Sequence, residues 1–181
     1  MKRKVLAISL LAISLVWIIA GCNEKNSEET TPATPTTSQE PIIALEESGA
    51  IPKLERENTL TGVDANANGV RDDIDAFINN KYSSNAQRAA VIQTAKAMQN
   101  ALTSDTTNIQ DIKAIAQEIS YGINCIYLQF DGAEGTTPPA QVVHELKSIT
   151  SNTKQRLLAY LEFNKALDGT SSALPKGDTC E

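Results

Sequence analysis

Residues 107–130 read TNIQDIKAIAQEISYGINCIYLQF, and this stretch decides the fold class. Its apolar positions Ile112, Ala116, Ile119, Ile123, Ile126 and Phe130 step by fours and threes. Side chains at that spacing share one face of an α-helix and form a seam against neighbouring helices. Thr107 followed by Gln110 fits a capping box, so a helix is expected from Thr107 to about Phe130. Gly122 falls inside it and costs about 1 kcal/mol relative to alanine. A close helix crossing would explain its presence.

The neighbouring segments carry the same period. Upstream, Ser84 with Gln87 makes a second capping box. It opens a helix to about Leu102 that buries Val91, Ala95, Met98 and Leu102. Before it, Ile74, Phe77, Ile78 and Tyr82 mark one face of a helix over about Asp72–Lys81. Downstream, Thr137-Pro138-Pro139 starts a last helix, with proline tolerated in its first turn. The inner face of that helix reads Val142, Val143, Leu146, Ile149, Thr153, Leu157, Tyr160 and Leu161. It runs to about Leu167, with Gly169 as terminator. No strong alternation of period two appears. The expectation is an all-α fold, a small bundle of about four helices with short connections.

The stretch ahead of the first helix carries the chemistry. Counting Asp64 as position one, Asn66 is third, Asn68 fifth, Gly69 sixth, Asp72 ninth and Asp75 twelfth. Calcium takes six to eight oxygens at flexible geometry, and alternate side chains of a curling chain supply them. Glycine permits the sharp reversal in the middle. The spacing resembles an EF-hand loop, and still more the loops of bacterial dockerins and thrombospondin type-3 repeats. The resemblance implies a calcium site held by the side chains of Asp64, Asn66, Asn68, Asp72 and Asp75 and the carbonyl of Val70. Asp72 would act directly or through a water. Three features depart from the sensor pattern. Asp75 replaces the longer glutamate, only three ligands are carboxylates, and Arg71 stands at the usually apolar eighth position. Ligand charge sets affinity, so binding is expected at about 10⁻⁴–10⁻³ M. The alternative is a metal-free turn, since Asn, Asp and Gly are ordinary turn residues.

Met1-Lys2-Arg3-Lys4 is basic, and Val5 to Ile19 is apolar apart from Ser9 and Ser14. That order reads as an export signal. Ile19-Ala20-Gly21-Cys22 resembles the lipobox of bacterial lipoproteins. The resemblance implies cleavage before Cys22 and acylation of its sulfur, which anchors the chain to a membrane. Asn23 in the next position implies the outer membrane, facing the periplasm, if the host is Gram-negative. Residues 1–21 are then the signal and residues 22–41 a tether. Its Ser, Thr, Pro, Glu and Asn leave too little to bury to offset ordering. Residues 42–63 form a lead-in, extended or briefly helical, with Gly49 and Pro52 interrupting it. Residues 64–181 make the helical domain.

The net charge is −6, and removing a signal with three basic residues and no acid takes it to −9. Nucleic-acid binding rewards basic patches, so that partner class is not expected. Of 3 cysteines, Cys125 and Cys180 remain after acylation of Cys22. Two thiols in a small exported domain most often pair. A buried free Cys125 beside a loose Cys180 stays open, because sequence shows no proximity. His144 is the lone histidine and reads as a solvated helix residue. There is no nucleophile elbow, P-loop or dinucleotide fingerprint, and no enzyme is expected. The function expected is that of a calcium-stabilised, lipid-anchored periplasmic lipoprotein with a binding or structural role. The alternative is an inhibitor or immunity-type lipoprotein that blocks a toxin or cell-wall enzyme, with a protein partner in the periplasm.

Overall fold

A computed structural model describes residues 39–131, 137–171, 173 and 175–181. The signal, Cys22 and most of the tether lie outside the described residues. Within them the protein is all-α, with six helices and no strand. These are α1 (Gln39–Glu47), α2 (Asp72–Lys81), α3 (Asn85–Thr103), α4 (Ile109–Phe130), α5 (Pro139–Thr150) and α6 (Lys154–Ala166). Helix α1 includes Gln39, Glu40 and Pro41, the last residues of the stretch read as tether.

Helices α3 and α4 form the central pair, with α2, α5 and α6 packed around it. Gly122 of α4 makes the close approach possible. A Cβ there would lie 2.6 Å from Thr94 Oγ1 and 2.8 Å from Thr94 Cα on α3. Side chains from α2, α3, α4 and α5 fill the main core, with Ile74, Ile78, Val91, Ile126, Val142 and Leu146 all buried. Tyr82 and Phe130 meet edge to face at 5.2 Å. A second cluster of Ala101, Ile112 and Phe163 seats α6 at the far end of the pair.

Two sequence expectations need correction. The cap of α4 is Asn108, one residue later than Thr107: its Oδ1 accepts from the N–H groups of Gln110 at 3.2 Å and Asp111 at 3.5 Å. Thr107 instead donates its hydroxyl to Asp105 at 2.7 Å. The helix expected to span from Thr137 to Leu167 is two helices. Ser151-Asn152-Thr153 interrupts it, and Thr153 caps α6 by accepting from Arg156 N–H at 3.3 Å. The cause is tertiary. Arg71 donates to the carbonyls of Ile149 at 3.1 Å and Thr150 at 3.2 Å, satisfying the end of α5 from outside. The break resets the helical phase, so α6 buries Arg156 and Phe163 while Leu157, Leu158 and Leu161 stay about half exposed.

Cys125 and Cys180 are joined by a disulfide, with Cα atoms 5.0 Å apart. The tail lies along α4, where Thr179 donates to the Tyr121 carbonyl at 2.8 Å. Gln93 of α3 reaches the Thr179 carbonyl at 2.9 Å. His144 is exposed on α5.

Candidate metal centre

The loop from Asp64 to Asp75 curls on a scaffold of its own side chains. Asp64 accepts the N–H of Asn68 at 3.2 Å on one oxygen and that of Gly69 at 2.9 Å on the other. Asn66 Oδ1 also accepts from Asn68 N–H, at 3.0 Å, and Asn68 Oδ1 accepts from Val70 N–H at 2.8 Å. Asp72 Oδ1 accepts from Ala65 N–H at 3.1 Å. Asp75, on the first turn of α2, receives the amide groups of Asn66 at 3.3 Å and Asn68 at 2.6 Å on a single oxygen. Gly69 sits at φ +86° and Ala67 at φ +54°. The left-handed conformation costs a residue with a Cβ about 1–2 kcal/mol, so the hydrogen bonds hold Ala67 against its preference.

Positions one, three, five, nine and twelve are thus cross-linked within one small loop. Among the described residues, no three His, Cys, Asp or Glu side chains stand close enough together to hold an ion. The carboxylates engage N–H groups, and Asn66 and Asn68 turn their nitrogens to Asp75. No lysine or arginine among the described residues pairs with Asp64, Asp72 or Asp75. An ion would have to take the amide oxygens of Asn66 and Asn68, which now accept the N–H groups of Asn68 and Val70, so its binding would rearrange those bonds. Val70 is fully buried, fixing the backbone that carries its carbonyl.

The reverse side of this loop is built on different principles. Arg71 and Arg156 are both fully buried. Arg71 forms a two-pronged pair with Asp73, Nε–Oδ1 and Nη2–Oδ2 each 2.8 Å. Arg156 reaches the Glu55 carboxylate at 2.5 Å and the Glu55 carbonyl at 3.0 Å, with Asn152 Oδ1 at 2.9 Å. Glu55 stands 3.9 Å from Arg71 as well, and its N–H donates to Asp73 at 2.9 Å. Two guanidinium groups and two carboxylates make a balanced quartet. Burial alone would push the Asp73 carboxyl up. The Arg71 guanidinium and the N–H groups of Glu55 and Ile74 outweigh it and hold Asp73 below its ordinary value. Gly62 leaves room for the quartet, since a Cβ would fall 2.2 Å from Arg71 Cδ and 2.4 Å from Glu55 Oε2.

In the sequence, Arg71 stands out only as a departure from a loop pattern, and no motif marks Glu55, Asp73 or Arg156 as partners. Arg71 at a usually apolar position was the one available signal. No family model, curated protein or solved structure matches the chain.

Proposed function

We propose that this protein is a calcium-stabilised, lipid-anchored protein of the cell envelope with a binding or structural role and no catalysis of its own. The observation that carries the calcium part is the inward turn of Asp64 and Asp75. These are the first and last acids of an EF-hand-like spacing, and both bond to the same Asn68. Neither acid has a cationic partner among the described residues, and a divalent ion drawn between them would neutralise charge where α2 begins. The site's low charge and short closing acid suit about millimolar calcium. The anchor rests on the order of basic residues, apolar run and lipobox ahead of Cys22.

Calcium at ten times its dissociation constant adds about 1.4 kcal/mol, or roughly 3–6 °C in a domain of this size. Calorimetry with calcium and with chelator measures it, and Asp64→Ala should erase the rise. Equal melting in both conditions would remove the metal from the account. Mass spectrometry of the mature chain should find a diacylglycerol on Cys22, and an intact Met1 would remove the anchor.

A second reading, an inhibitor or immunity-type lipoprotein, is favoured by one observation. Leu157, Leu158 and Leu161 present an apolar face on α6, and clustered exposed leucines suit a protein partner. Pull-down from solubilised envelopes with and without Leu158→Lys tests it: a stoichiometric enzyme or toxin lost with the variant supports it.

A further inference from the structure

Helix α6 is apolar on two sides. Inward it buries Phe163, beside the Arg156 stem. Outward, Leu157, Leu158 and Leu161 are 45%, 51% and 51% exposed. Residues spaced by three and four share one face of a helix. Lys154 and Lys165 are exposed too. They stand about three turns apart, on the same outward line, one at each end of the leucines. Lys165 lies 3.9 Å from Glu162, an exposed pair that solvent screens. Glu162 is the one acid of α6, against three bases, in a chain of net charge −6. The outward face of α6 therefore runs against the charge of the whole protein.

Leucines in the middle and lysines at the ends match the layering of a phospholipid surface. Acyl chains take the leucines, and the long lysine stems carry their ammonium groups up to the phosphates. A protein partner fits less well. A stable protein interface buries about 800 Å² on each side, and three half-exposed leucines are a narrow base for one. Chain length points the same way. From Cys22 to Gln39, where α1 begins, the chain reaches at most about 60 Å at ~3.5 Å per residue. A domain of this size has a radius of gyration of about 15 Å, so the α6 face can come down on a leaflet that holds Cys22. Such a link supplies an effective concentration of about a millimolar, which lets a small patch dock.

We propose that α6 is a lipid-docking helix, whose Leu157, Leu158 and Leu161 enter the phospholipid leaflet that holds an acylated Cys22 while Lys154 and Lys165 meet its phosphates. The proposal rests on the anchor reading for its source of lipid, so the test supplies an anchor that does not depend on acylation in the cell. The chain from Cys22 onward is made unacylated. Cys125 and Cys180 are joined, which leaves Cys22 as the one free thiol. It is coupled to maleimide-bearing phosphatidylethanolamine in vesicles of phosphatidylcholine and phosphatidylglycerol. Trp17, the one tryptophan of the sequence, falls in the signal, so Leu158→Trp introduces a unique indole.

With brominated acyl chains in the vesicles, that indole should emit further to the blue and be quenched. Leu128→Trp is the control. Leu128 is exposed on α4, about 24 Å along the helix from Ile112, which packs against α6. Its indole should keep the emission of a solvated group. Adding Leu157→Glu and Leu161→Glu to Leu158→Trp should abolish the quenching, and both sites are exposed enough for the fold to persist. An unquenched indole at position 158, equal quenching at positions 158 and 128, or quenching that survives the two glutamates overturns the proposal. An unquenched indole together with an envelope protein lost in Leu158→Lys gives the face to that protein instead. A Cys22 found unacylated in cells removes the anchor reading but leaves the quenching result standing.

Discussion

Asp73 and Asp75 lie two residues apart on the first turn of α2, yet their surroundings are opposite. Asp73 faces a buried guanidinium that holds both its oxygens, with two backbone N–H groups completing its shell. Asp75 faces the loop interior, where neutral amides are its partners. One side of the loop is neutralised permanently by arginine. On the other, Asp75 meets only neutral amides. A short acidic segment can therefore place one carboxylate in an ion pair and the next but one among amides, provided the two side chains point apart.

Removing one member of the buried quartet should have the largest effect. Arg156→Ala leaves the partly buried Glu55 carboxylate with only Arg71 as a cation, at 3.9 Å, and breaking a buried ion pair costs about 3–5 kcal/mol. Urea denaturation measures it. Replacing Arg156 and Glu55 together by Met and Gln should cost less than the single change, because no orphan charge remains. A single change as mild as the double would mean that water already reaches the quartet.

The disulfide supplies a control away from both faces. The denatured, unreduced mature protein should titrate with no free thiol. Reduction should cost about 4 kcal/mol on a chain-entropy basis for its 55-residue separation.

Chelation should sharpen the contrast further. It should lower the melting temperature of the Arg71→Lys variant by as many degrees as that of the wild type. Unequal losses would show the two faces to be coupled.

The smallest expected effect is in acid. Asp73 has a folded-state pKa below its unfolded one. Its stabilisation is therefore fully present above about pH 4 and is lost as pH falls through the lower, folded value. Asp73→Asn should flatten that part of the stability–pH profile. A profile unchanged by the substitution would place the acid sensitivity elsewhere.

Much of the helical frame was legible in the sequence, because α2, α3 and α4 are each amphipathic over their whole length and bury the faces their period marks. Gly122 was legible too, as a residue that costs helix stability and needs a neighbour's backbone close by. The break between α5 and α6 was not. Apolar residues continue with helical spacing across Ser151-Asn152-Thr153, and the interruption depends on Arg71, 78 and 79 residues away, taking the last carbonyls of α5. The loop's spacing was readable, but the direction of each asparagine amide follows from the curled backbone. Glu55 was invisible for the same kind of reason. Its partner Arg156 is 101 residues distant, and neither residue belongs to a pattern.

The Glu55 junction also determines how the domain would bear load. Helix α1 is held to the segment after it by Glu46, which takes the Leu54 N–H and the Arg56 guanidinium near the surface. A pull from the N-terminal side would strip α1 first at low force. It would then meet a sharp mechanical stop where two arginines grip one residue across three segments of chain.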